Sequence, residues 1–176
     1  TKDLLKSLLS KMGDTVAPVG SFNNEIGLPL TSLKVNADTR FLVAEMGANH
    51  VGEIANLTSL VPPDIAVVLK VGGAHLGEFG SVERIAEAKS EIVRGLVPGG
   101  LTVLNANDDH VAAMSAIAPG DLLWFGLPQE DGARLDSTAH DVVCDELDHP
   151  SFVLEHKSGQ RADVTLGICG QHNVMN

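Results

Sequence analysis

Apolar positions recur along the chain with two different periods. In DLLKSLLSKM (3–12), Leu4, Leu5, Leu8, Leu9 and Met12 fall on one helical stripe and Gly13 offers a stop, which predicts an amphipathic helix. From residue 16 to residue 29 glycine, proline and asparagine are too frequent for regular structure, and the segment reads as a loop. FLVAEMG (41–47), IAVVLKVGG (65–73) and LTVLNAND (101–108) are then almost continuously apolar, the pattern of strands buried on both faces of a parallel sheet. Helical periods separate them at 52–60 and 82–96. Alternation of this kind predicts an α/β fold, an open, mostly parallel sheet with flanking helices joined by right-handed crossovers.

The texture changes after Asn107. DLLWFGL (121–127) fits one more core strand, whereas 134–169 breaks into shorter strands, with SFVLEHKSGQRADVTL predicting a hairpin turned at Ser158 and Gly159. The expected layout is an α/β core at 1–128, a small antiparallel β extension at 129–169, and at 170–176 (GQHNVMN) a loop opening a helix.

Composition narrows the possible roles. With 176 residues, 44% hydrophobic and 20% charged, the chain suits one globular domain. No apolar run is long enough to span a bilayer and no signal segment opens the chain, so a cytoplasmic protein without membrane insertion is expected. A net charge of -11, with 12 Lys and Arg spread thinly, argues against a nucleic-acid surface. It leaves nucleoside triphosphate binding open, since Mg²⁺ and backbone amides hold phosphates without a basic balance. Cys144 and Cys169 lack CxxC spacing and read as reduced, structural thiols.

In open parallel sheets ligands bind beyond the carboxyl ends of the strands. Glu45, Gly72, Gly73, His75, Asn105 and Asp108 end or follow the apolar runs. A carboxylate and an imidazole there suit Mg²⁺ or Mn²⁺ beside a phosphate, and they equally suit a capping acid and a hydrogen-bonded histidine. In SVERIAEAKSEIVRGL, the positions Ile85, Ala88, Ile92 and Leu96 define a buried stripe on which Lys89 also falls. A buried amine is disfavoured as a cation and, once neutral, adds CO₂ to give a carbamate; a lysine that snorkels its head to water is the alternative. Asn23 and Asn24 offer adjacent amides suited to a phosphate oxygen and a water, or to turn chemistry. GxxxxGK[ST] is absent, and GGAHLGE (72–78) carries Glu78 where its lysine would stand.

Taken together, TKDLL, GSFNNEIGLPLT, DTRFLVAEMGANHVGEI, AHLGEFGSVERIAEAKSEI, LNANDD and GQHNVMN resemble, in order, the Mur ligases of peptidoglycan synthesis. The resemblance implies the central ATP-handling domain of such a ligase, with Thr1, Lys2 and Asp3 lying directly after the family's phosphate loop and the substrate-binding domains outside the chain. Such a fragment alone is expected to be inactive. The resemblance further implies ATP and two Mg²⁺ ions as cofactors, with Mn²⁺ as a substitute. Glu45 falls on the ion bridging the terminal phosphates, and His75 with carbamylated Lys89 on the second. Asn23 and Asn24 fall near the γ-phosphate, and Asn173 and Asn176 at the adenine or its ribose. The implied substrates are a UDP-N-acetylmuramoyl-tripeptide and D-alanyl-D-alanine, joined through an acyl phosphate. Lys70 and Gly73 depart from the family pattern and bear on metal affinity. Alternatives are a related ligase that adds an amino acid, a folylpolyglutamate synthase, or a non-catalytic nucleotide-binding or interaction module. A strand missing from the sheet would also leave a slot for self-association of the fragment.

Overall fold

The computed structural model describes residues 1–73, 76–128 and 135–176, apart from the side chain of Leu76. The chain divides into two compact units, Thr1–Asp64 with Gly72–Val97, and Ile65–Val71 with Pro98–Asn176.

The first unit contains α1 (Lys2–Leu9), β1 (Thr15–Val16), α2 (Gly27–Ser32), β2 (Phe41–Leu42), α3 (Glu53–Leu60), α4 (Leu76–Phe79) and α5 (Val82–Arg94). β1 and β2 pair in parallel, Thr15 opposite Phe41 and Val16 opposite Leu42. Leu28, Ile54, Leu57, Ile85, Ala88 and Val93 are buried. The 16–29 segment is not wholly irregular as the pattern suggested: Val16 is a strand residue and α2 starts at Gly27. Pro29 fits because it stands in the first helical turn, where its missing N–H has no partner to lose. The 41–47 run is strand only at Phe41 and Leu42, and its remainder is a loop carrying Glu45. α1 ends at Leu9, short of the expected Met12, and buries none of its residues.

The second unit is built on a six-stranded sheet in the order β3 (Ile65–Val68), β4 (Leu101–Asn105), β5 (Leu122–Gly126), β6 (Ser137–Cys144), β7 (Pro150–His156) and β8 (Arg161–Thr165). β3 to β6 pair in parallel, and β7 and β8 add antiparallel strands. α6 (Asp109–Ala112) and a 3-10 turn at Ala113–Ile117 connect β4 to β5. Ala66, Thr102, Leu104 and Val111 are fully buried, as the apolar runs predicted for β3 and β4. The hairpin predicted around Ser158 and Gly159 joins β7 to β8, with Gly159 at φ 83°. β7 and β8 form the expected antiparallel extension, and β6 joins it to the main sheet by pairing in parallel with β5 at Phe125–Ser137 and Gly126–Thr138. A second 3-10 turn at Gln171–Met175 closes the described chain.

No described helix is long and apolar enough to cross a membrane. Cys144 and Cys169 are free thiols, as expected, and both are exposed, which gives neither a structural role in the core.

Candidate functional site

Glu45 sits three residues past β2 in the loop that leads to α3. Its half-buried carboxylate does not cap a helix: Oε1 accepts a hydrogen bond from Asn23 Nδ2 at 3.0 Å. The backbone locks the same pair, since the Gly47 amide donates to the Asn23 carbonyl at 2.8 Å. A Cβ on Gly47 would lie 2.7 Å from Asn23 Nδ2, so only glycine lets the carboxamide lie flat over the loop and reach the acid. A cleft of about 220 Å³ opens beside this pair, lined by Asn24, Gly47, Gly52, Glu53 and Asn56 among others.

The two adjacent asparagines divide their work. Asn24 Oδ1 accepts from the amides of Ile26 at 3.3 Å and Gly27 at 2.9 Å, so its carbonyl is used to start α2. Asn23 is the member of the pair whose side chain meets another side chain, that of Glu45. Sequence reasoning left the two equivalent; what distinguishes them is which one precedes the helix start at the capping offset.

On α5, Ile85, Ala88, Ser90, Glu91 and Val93 are buried and Lys89 is half-buried. The expected stripe placed Ile92 inside, but Ile92 is half-buried and Glu91 takes the buried position. That acid went unnoticed in the sequence, because a glutamate in a charged helix reads as solvated. Its function is plain in the geometry. Oε1 accepts from the Gly52 amide at 2.6 Å and Oε2 from the Ala55 amide at 2.8 Å, filling the start of α3, where Gly52 has φ 98° and no side chain to cap with. Glu91, two residues after Lys89, therefore fastens α5 to the end of the Glu45 loop.

At the same helix start, Glu53 Oε2 accepts from the Asn49 amide at 2.7 Å and Oε1 meets His50 Nδ1 at 3.0 Å. The Asn49 amide first, and the His50 ring next, hold the Glu53 carboxyl below its ordinary value. The loop from Glu45 to Glu53 is thus gripped from Asn23, from Glu91 and from within.

In the second unit the polar residues at strand ends close on backbone. Asn105, buried, donates to the Leu69 carbonyl at 2.7 Å and accepts from the Asn107 amide at 2.8 Å. Asp108 accepts from Val111 at 3.0 Å, capping α6, and from the Val71 amide at 2.9 Å. Both residues thus carry structural hydrogen bonds at the strand ends. Asn173 and Asn176 do come together: Asn176 Nδ2 donates to Asn173 Oδ1 at 2.9 Å, and Asn173 Nδ2 donates to the Cys169 carbonyl at 2.8 Å. Lys70 is exposed just after β3. His75 lies outside the described residues.

Among the described residues no three His, Cys, Asp or Glu side chains gather in a metal-holding group. A single carboxylate beside a carboxamide nonetheless suits Mg²⁺, a hard ion that takes oxygen donors and is commonly held by one or two carboxylates, with phosphates and waters completing the shell. The donor chemistry of Glu45 and Asn23 fits that ion and is a poor match for a soft-metal site.

Comparison with known proteins gives the family. Residues 1–176 match the Mur ligase middle domain. Over all of the chain it is 45% identical to the UDP-N-acetylmuramoyl-tripeptide–D-alanyl-D-alanine ligase of Mycobacterium tuberculosis, of which it spans 34%. A crystal structure of MurF from Acinetobacter baumannii superposes with a TM-score of 0.89 at 34% identity, covering 99% of this chain and 37% of that one. The MurF ligase of Thermotoga maritima, solved in complex with ADP, gives a TM-score of 0.83 at 31% identity, covering 99% of this chain and 39% of that one. The chain thus spans about a third of the length of the curated relatives it matches. With its mixed, mostly parallel strands, its flanking helices and a family match running end to end, the chain belongs to the Mur ligases as their middle domain.

Proposed function

We propose that this chain is the ATP-handling portion of a cytoplasmic ligase that joins D-alanyl-D-alanine to a UDP-N-acetylmuramoyl-tripeptide. The observation that carries the reading is the Asn23–Glu45 pair, a carboxylate fixed by a carboxamide over a glycine that admits no side chain. Whole-length identity to dipeptide-adding ligases supports the choice of substrates, and the ADP held by the Thermotoga relative supports the choice of nucleotide.

In this reading Glu45 would hold one Mg²⁺ ion, and His75 with a carbamylated Lys89 would hold a second. The metals supply charge cancellation on the phosphates, with Mn²⁺ an acceptable substitute. Asn23 orients the Glu45 carboxylate, and its remaining polar atoms face the γ-phosphate. Asn173 and Asn176, tied to one another, present a preorganised pair of amides to the adenine or ribose. Glu91 keeps Lys89 and the Glu45 loop on one frame by gripping the Gly52 and Ala55 amides. The tripeptide carboxylate attacks the γ-phosphorus, giving an acyl phosphate and ADP, and the dipeptide amine then displaces phosphate from the activated carbonyl. We assign residues 1–128 to the α/β core, 129–169 to its β extension and 170–176 to the opening of a further helix.

A coupled phosphate-release assay on the whole protein, with the UDP-tripeptide, ATP and Mg²⁺, tests the assignment. D-alanyl-D-alanine is expected to drive phosphate release, and single amino acids or a folate acceptor are not. Release driven by lysine or diaminopimelate and not by the dipeptide would overturn it.

A further inference from the structure

The second unit carries a constellation that the ligase reading leaves unused. In the turn between β6 and β7, Asp145 Oδ1 accepts from the amides of Leu147 at 2.9 Å and His149 at 2.8 Å. Its other oxygen meets His149 Nδ1 at 3.1 Å. The opposite ring nitrogen, Nε2, lies 3.6 Å from the sulfur of Cys169, which follows β8. Backbone bonds hold the parts in register: Asp145 N donates to the His149 carbonyl at 3.1 Å, and Gly170 N to the Asp148 carbonyl at 2.7 Å. A carboxylate orients an imidazole, and the imidazole faces an exposed thiol, which is the nucleophile–base–orienting group arrangement that activates sulfur.

The other thiol serves as an internal reference. Cys144 is also exposed and ends the strand that leads into the same turn, yet among the described residues no imidazole is paired with it. Local desolvation first, then the hydrogen bond to Asp148 and the charges of Asp148 and Asp145, push its thiol above its ordinary value. Two exposed cysteines at one end of one sheet thus stand in opposite surroundings, one beside a base and one beside acids.

We infer that Asp145, His149 and Cys169 form a thiol–disulfide exchange site, at which Cys169 takes up one half of a small disulfide. His149 Nε2 accepts the thiol proton, and the Cys169 sulfur attacks one sulfur of the disulfide. A new S–S bond to Cys169 forms as the bond of the disulfide breaks, and the departing thiolate takes the proton back from the imidazolium. Cys169 is oxidised and the leaving half is reduced, leaving a mixed disulfide and a free thiol. The chemistry does not rest on the nucleotide reading, although the Cys169 carbonyl accepts from Asn173.

Oxidised glutathione, with peptide-resolved mass spectrometry on the full chain at neutral pH, provides the test. Cys169 is expected to be modified at least about tenfold faster than Cys144 in the folded protein, and at a similar rate in denaturant. His149→Gln is expected to bring Cys169 down to the rate of Cys144 without changing Cys144 itself. Equal rates of the two thiols in the folded wild type would overturn the site, whichever variants fold. So would a preference that survives denaturation, or a folded His149→Gln variant whose Cys169 reacts as before.

Discussion

Two pairs of polar side chains, one in each unit, are used in opposite ways. In the second unit Asn105 and Asp108 spend their donors and acceptors on backbone groups, on Leu69, Asn107, Val71 and Val111. In the first, Asn23 and Glu45 meet side chain to side chain across 22 residues of sequence. A polar group consumed by backbone stabilises the fold and has little left for a ligand; one held by another side chain is aimed and still available. Glu91 is informative because, like Asn24, it lies in the first unit yet grips only backbone. By this rule it belongs with the structural acids of the second unit, and substitutions can separate the two uses.

The largest expected effect is on Glu91. Glu91→Ala removes two charge-assisted bonds from the start of α3 and is expected to cost about 3 kcal/mol in urea unfolding. Glu91→Gln keeps one acceptor and should cost about half of that. If Glu91→Ala unfolds like the wild type, the acid is not the cap of α3.

Glu45→Gln is next, and of the other kind. It is expected to lower ligation by the whole protein about 100-fold, roughly 2.7 kcal/mol at the barrier, while unfolding changes by less than about 1 kcal/mol. Gly47→Ala should follow it in direction, because the added methyl displaces the Asn23 carboxamide. A large loss of stability with intact ligation in Glu45→Gln would abolish the distinction between the two pairs.

Asp108→Ala should show the reverse signature, a loss of about 1.5 kcal/mol in stability from a missing helix cap, with Mg²⁺-dependent nucleotide affinity unchanged in calorimetry.

The smallest effect is one of pH. Asp136 is desolvated, which raises its carboxyl, but the 2.7 Å bond to Lys157 and the Trp124 amide outweigh that and hold it below its ordinary value. A depressed folded value means that its stabilisation is present above the unfolded carboxylate range and is lost as pH falls through the folded value. Thermal unfolding of the wild type should therefore lose about 1 kcal/mol below about pH 4 that Asp136→Asn does not lose. Parallel pH profiles of the two proteins would show that the Asp136 carboxylate does not stabilise the fold.

Much of this layout was legible from hydrophobic period alone. The runs at 65–73 and 101–108 became β3 and β4, the period at 82–96 became α5, and Ser158 with Gly159 turned the last hairpin. α2 was hidden because Gly27 and Pro29 read as breakers, though both stand where a helix begins. The parallel pairing of β6 was illegible because it rests on only two residue pairs that alternation does not mark. Within the site, Glu45 and the asparagines were found by residue type, whereas their pairing depends on a loop closure that no local pattern encodes. Glu91 was missed because burial of an acid is decided by the partner amides that receive it, and those lie 36 and 39 residues earlier in the chain.

Because Glu91 holds the amides of Gly52 and Ala55 and no side chain of α3, the clasp does not depend on which residues occupy 53 to 55. It depends on their number. Glu53 and Ile54 have contacts of their own to keep, but for the clasp alone it is length that matters: inserting or deleting one residue between 52 and 55 would rotate one of the two amides away from the carboxylate. Among relatives, this segment should therefore be fixed in length.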